Sequence, residues 1–104
     1  MKEKLLKIIN TYGIEKQLKY IHSEYFELDE AIINYLDDEC NYYSQVEESH
    51  IKHITEEIAD VMVMLKQFQY YFNIEDEQIE KVMDYKINRQ LDRIEKENQF
   101  NQGD

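Results

Sequence analysis

Residues 14–36, IEKQLKYIHSEYFELDEAIINYL, decide the fold class. Ile14, Leu18, Ile21, Tyr25, Leu28, Ile32 and Leu36 advance in steps of three and four, which at about 3.6 residues per turn holds them in one stripe over about six turns. The spacing predicts a long amphipathic helix that ends at about Leu36.

Reading outward from it, Leu5, Leu6, Ile8, Ile9 and Tyr12 recur at helical spacing over roughly residues 2–12. Gly13 then supplies a residue able to take the left-handed conformation that closes a helix. On the other side, Asp37 to Glu48 is polar and aromatic without a sustained apolar period and reads as a loop. Ser49 can cap a third helix carrying Ile51, Ile54, Ile58, Val61, Met62, Leu65, Phe68 and Phe72, with Asn73 as the residue that ends it. A fourth helix, roughly Asp76 to Asn98, shows Ile79, Val82, Met83, Ile87, Leu91 and Ile94, and it carries Lys81, Lys86, Arg89, Arg93 and Lys96. The tail, 99–104, is expected to be frayed and disordered.

Composition agrees with an all-α chain. There is no Pro, and only Gly13 and Gly103 supply Gly, so the tight turns of a many-stranded sheet have almost nothing to build them. With 104 residues the expectation is one domain, residues 1–98, folded as an antiparallel bundle of about four helices. Helices this few and this long cannot bury all their stripes alone, so a second copy is expected to complete the bundle, as a homodimer or homotetramer. No run approaches the roughly 18 apolar residues of a membrane span and no signal-peptide core follows the first residues, which predicts a soluble, cytoplasmic protein. The single Cys40 has no partner for an internal disulfide and fits a reducing compartment. A formal net charge of −11 opposes nucleic acid and anionic membrane as partners. Were the ligand a phosphate compound, a divalent cation would have to bridge acidic protein and acidic ligand.

Two acidic pairs suggest where such a cation would sit. Glu24 and Glu27 stand three apart on the second helix, and Glu57 and Asp60 stand three apart on the third, so each pair projects from one face. On a helical wheel Glu24 and Glu57 fall at the edge of the apolar stripe, whereas solvated acids usually lie opposite it. Ala31 and Ala59 nearby would let the two helices approach closely. With 23 acidic residues such pairs also arise by accident, Glu27/Glu30 and Glu77/Glu80 among them. Carboxylates gathered between helices nevertheless repel unless a cation or a proton compensates them.

The text Ser23-Glu24-Tyr25-Phe26-Glu27-Leu28-Asp29-Glu30-Ala31-Ile32, followed by Glu56-Glu57-Ile58-Ala59-Asp60-Val61, resembles the paired motifs of the MazG-like all-α NTP pyrophosphatases. The resemblance covers about residues 14–93. It implies that Glu24, Glu27, Glu57 and Asp60 are catalytic ligands of Mg²⁺, with Mn²⁺ able to substitute. It also implies that the chain cleaves (deoxy)nucleoside triphosphates to monophosphate and pyrophosphate. Asp84-Tyr85-Lys86-Ile87-Asn88-Arg89 looks like the family's basic segment, which assigns Lys86 and Arg89 to substrate phosphates. The chain departs from the pattern at Ser23, where the family has the first of two Glu, at Tyr20, where many members have Lys, and at Asp84, where some have Asn.

Other features give rival readings. Glu47-x-x-His50, with His53, is half of a di-iron bundle motif whose second half is missing. His22 reads as packed or solvent-bridged, and Tyr42/Tyr43 as loop aromatics able to stack on a base. The rival function is a non-enzymatic helical interaction or nucleotide-sensing module, in which the acids are a solvated face and Mg²⁺ does not matter.

Overall fold

The computed structural model describes residues 1–37 and 44–102, and all of its regular structure is helical. Four helices follow in order: α1 (Lys2–Tyr12), α2 (Ile14–Asp37), α3 (Ser44–Tyr71) and α4 (Asp76–Gln102). Cys40, Tyr42 and Tyr43 lie outside the described residues. Among the described residues no helix is long and apolar enough to cross a membrane.

Two helix ends follow from single residues. Gly13 has φ 91° and ψ 148°, a positive-φ conformation outside the left-handed helical well that the sequence suggests, and one open almost solely to glycine. Its N–H donates to Ile9 O at 2.7 Å to close α1, and its C=O accepts from Gln17 N at 3.1 Å to open α2. One residue therefore joins two helices. At the end of α3, Asn73 has φ 58°, the left-handed conformation expected of it.

Two boundaries differ from expectation. α3 begins at Ser44 rather than at Ser49, so Ser49 lies inside the helix and is no cap. The segment Gln45-Val46-Glu47-Glu48 lacks a stripe but also lacks any helix breaker, and α3 extends through it. α4 likewise continues past Asn98 to Gln102, because Glu95-Lys96-Glu97, Gln99 and Gln102 favour helix and no Gly or Pro occurs before Gly103.

The described residues group into two compact units, Met1–Phe72 and Asn73–Asp104. In the first, α2 and α3 form the main packing pair, and α1 packs chiefly on α3. Gln17 meets Gln67, the acids Glu24 and Glu27 meet Glu57 and Asp60, and Tyr35 meets His50 edge-on with ring centroids 6.1 Å apart. Each step forward along α2 is thus matched by a step back along α3, and the two helices run antiparallel. Leu5 and Ile9 of α1, Ile21 and Ala31 of α2, and Val61, Met64 and Tyr70 of α3 are its buried apolar groups. Tyr70 lies under the ammonium groups of Lys2 and Lys66, 5.5 and 5.6 Å from the ring centroid.

The second unit contains α4. Its start is fixed by a reciprocal cap: the N–H of Glu75 donates to Gln78 Oε1 at 2.8 Å while Glu75 O accepts from Gln78 and Ile79. Val82, Met83, Ile87, Leu91 and Ile94 are all exposed along it.

The buried face of α2 is shifted to one edge of its apolar stripe: Ile21 is buried and Ile14 and Leu28 are half-buried, as the stripe predicts. Leu18, Tyr25, Ile32 and Leu36 are exposed, and the buried positions are Gln17, Ile21, Glu24 and Ala31. On α3, Ile51, Ile58, Met62 and Leu65 are exposed, whereas Glu57, Val61, Met64 and Gln67 are buried. Glu24 and Glu57 consequently sit within the packed face rather than at the edge of it. Ala31 is fully buried, as close approach requires, but Ala59 is exposed and contributes nothing to that approach.

Candidate metal centre

The residues that the sequence singles out come together. One carboxylate oxygen from each of Glu24, Glu27, Glu57 and Asp60 can be chosen so that all lie within 4.8 Å of one another. The antiparallel crossing produces this, since each helix contributes a pair one turn apart and the pairs face each other. Glu27 and Asp60 are exposed, so the group opens to solvent on one side. Glu24 and Glu57 are only 6% and 9% exposed, so its other side is enclosed.

Chemistry separates this cluster from an ordinary acidic surface. Glu24 Oε2 and Glu57 Oε2 are buried without a hydrogen-bond partner. A buried carboxylate oxygen with no donor is costly, and two such acids at this separation repel by roughly 3–4 kcal/mol even at an effective dielectric of about 20. Hard oxygens from four carboxylates, two of them short of a partner, fit a hard divalent cation such as Mg²⁺, which takes carboxylate and water oxygens in octahedral array.

Neighbouring groups hold the acids in place. His53 Nε2 lies 3.3 Å from Glu57 Oε1, one turn back on α3, which leaves Oε2 directed elsewhere. The Tyr20 hydroxyl hydrogen-bonds Glu24, and that bond, the Glu24 charge, partial burial and the charges of Glu27 and Asp60 together push its pKa above the usual phenol range. Tyr20, read from sequence only as a departure from a family Lys, is therefore attached to a candidate ligand. His53 was visible only as a fragment of a di-iron motif. His22 is exposed, and His50 meets Tyr35; neither is one of the four clustered residues.

A pocket of about 430 Å³ continues from the acids between α1, α2 and α3. Glu24, Asp60 and Tyr20 line its acidic end, and Tyr12, Lys16, Gln17, Met64 and Gln67 line the remainder. Lys16 Nζ stands 5.1 Å from the centroid of the Tyr12 ring. Gln17 Nε2 donates to Gln67 Oε1 at 2.8 Å, and both side chains are buried. Neither glutamine attracts notice in the sequence. The available signal is spacing, since Gln17 precedes Glu24, and Gln67 follows Asp60, by two helical turns.

Lys86 and Arg89 lie on α4 in the second unit, both exposed, with the Arg89 guanidinium 5.9 Å from the Tyr85 ring centroid. Compared with known proteins, no family model, curated sequence or solved structure matches the chain.

Proposed function

We propose that the chain is a Mg²⁺-dependent nucleotide pyrophosphohydrolase that cleaves (deoxy)nucleoside triphosphates to monophosphate and pyrophosphate. The observation that carries this reading is the set of four carboxylates within 4.8 Å of one another, two of them buried with an unpartnered oxygen. The motif resemblance and the pocket that opens from the cluster support it.

In this reading Glu24, Glu27, Glu57 and Asp60 hold the cation, and Mn²⁺ can replace it. A divalent cation bound there supplies charge neutralisation for the triphosphate and a water of lowered pKa. The chain's own groups do the remainder. His53 and Tyr20 keep Glu57 and Glu24 oriented, the enclosed side of the cluster limits bulk water, and an exposed carboxylate of the four can accept the proton of the attacking water. Lys86 and Arg89 are assigned to substrate phosphates on the resemblance.

The exposed apolar residues Leu18, Tyr25, Ile32 and Leu36 of α2, and Ile58, Met62 and Leu65 of α3, support a homo-oligomer, dimer or tetramer, that covers them. The same exposed face also suits the alternative, a helical module that binds another protein without catalysis.

Assay of pyrophosphate and monophosphate release from a panel of nucleoside triphosphates, in Mg²⁺ and in EDTA, tests the proposal. Mg²⁺-dependent release that disappears in Glu57→Gln is the expected result. No release from any triphosphate, together with no change in melting temperature on adding Mg²⁺, would leave the interaction module as the better reading.

A further inference from the structure

We infer that α4 is a self-association helix, which pairs in parallel and in register with α4 of a second copy of this chain. The inference is independent of the proposed activity, since it needs neither a cation nor a nucleotide, and it concerns a surface other than the apolar residues of α2 and α3. At about 100° per residue, Ile79, Met83, Ile87, Leu91 and Ile94 fall within about 60° of one line along the helix. Met83, Ile87, Leu91 and Ile94 are each between 51% and 56% exposed, and Ile79 is half-buried. An apolar row of this length left exposed on a helix marks a contact surface. Glu80, Gln90 and Glu97 interrupt the row, so its apolar contact is modest and the groups along its edges decide how it pairs.

Those edges carry opposite charge. Lys86 and Arg93 lie about 80–100° to one side of the row's centre, and Glu77, Asp84 and Glu95 lie about 80–100° to the other, all of them exposed. Two copies related by a two-fold axis along the helices set the basic edge of each against the acidic edge of the other. Lys86 then faces the second copy's Asp84, and Arg93 faces the second copy's Glu95, each pair offset by only two residues, about 3 Å along the axis. Symmetry makes every such pair twice. Turning one helix end for end instead sets basic edge against basic edge and acidic against acidic, which repels on both sides. Charges flanking an apolar seam are what choose partner and direction in paired helices. They also disfavour an anionic membrane as the occupant, because the acidic edge would meet the headgroups together with the row. Arg89 lies outside both edges, so its assignment to phosphate is untouched. Lys86 is claimed by both readings, and the test therefore rests on Arg93 and Glu95, which belong to neither the acid cluster nor its pocket.

Two measurements on the full chain test it. The first introduces one cysteine, Met83→Cys or Ile94→Cys, each in a Cys40→Ser background, and follows disulfide-linked dimer in a glutathione redox buffer. A parallel, in-register pair brings position 83 opposite its copy and position 94 opposite its copy, so both variants should link, whereas Asp92→Cys on the far side of the helix should not. An antiparallel pair can bring only one of the two opposite itself, because they stand about 16 Å apart along the helix. Linking at one position only, at neither, or equally at 92 overturns the inference. The second measurement adds charge reversals to the Met83→Cys chain, with circular dichroism to show that each variant keeps its helix. Arg93→Glu should lower the equilibrium constant for the linked dimer about tenfold, and Arg93→Glu/Glu95→Arg, which exchanges the edges at that level, should bring it back to within about threefold. No loss with the first, or no recovery with the second, overturns the inference. So does a wild-type chain that sediments as a monomer, alone or on phosphatidylserine vesicles.

Discussion

Two buried polar groups share the groove between α2 and α3, two turns apart, and they are solved in opposite ways. At one level Gln17 and Gln67 satisfy each other through a 2.8 Å hydrogen bond between neutral amides. At the other, Glu24 and Glu57 bring like charges together and each leaves an oxygen without a partner. The packing is the same antiparallel crossing in both places, so geometry does not explain the difference. The amide pair finds its partners within the chain, Gln17 on Gln67 and Gln67 on Met64. The acid pair is incomplete within the chain, and either a proton or the cation proposed above would complete it.

That contrast can be broken by experiment. The largest expected effect is on turnover: Glu57→Gln should lower kcat on the order of 10²–10³-fold or more while the helical circular dichroism is unchanged. Next is stability. Mg²⁺ at about a hundred times its dissociation constant should add about 2.7 kcal/mol, which in a domain this small moves the melting temperature by about 10 °C or more. Glu24→Gln should abolish that rise and Gln17→Leu/Gln67→Leu should retain it; the reverse pattern would show that the acids are not the cation's site. Tyr20→Phe removes the hydroxyl held by Glu24 and should weaken Mg²⁺ binding about tenfold by calorimetry, without shifting the metal-free melting temperature by more than a few degrees. Arg89→Ala should raise KM by about tenfold with kcat little changed, and an unchanged KM would remove Arg89 from the substrate's phosphates. The smallest difference expected between metal-bound and metal-free protein is in a control on both levels at once. Gly13→Ala meets no steric obstacle but must hold φ 91°, so it should cost about 1–3 kcal/mol equally with and without Mg²⁺.

Much of this molecule is legible in its sequence, and the exceptions have a common cause. The helices follow from periodicity, and Gly13 and Asn73 mark two ends because each supplies a positive φ. The four acids were readable because their spacing is tied to helical faces. The stripes mark only part of the buried face, however. Periodicity tells which residues share a face but not which face meets the neighbouring helix. In α2 the face that packs carries Gln17 and Glu24, so a polar row was hidden by a more conspicuous row of Leu18, Tyr25, Ile32 and Leu36. Gln67 escaped notice for the same reason, since a glutamine shows no sign of burial until its partner is known. The start of α3 at Ser44 is not legible because absence of a stripe is not absence of a helix.

The one-for-one antiparallel march of α2 against α3 has a consequence for change in this chain. Acid and amide levels are set by the same two helices, so they behave like marks on a pair of rulers read in opposite directions. Inserting one residue between Gln17 and Glu24 rotates one mark by about 100° relative to the other, and both can no longer face α3. Matched insertions of whole turns in both helices would keep the phase and lengthen the scale. Point substitutions can therefore change what each mark reads, but the distance between marks can change only in helical turns.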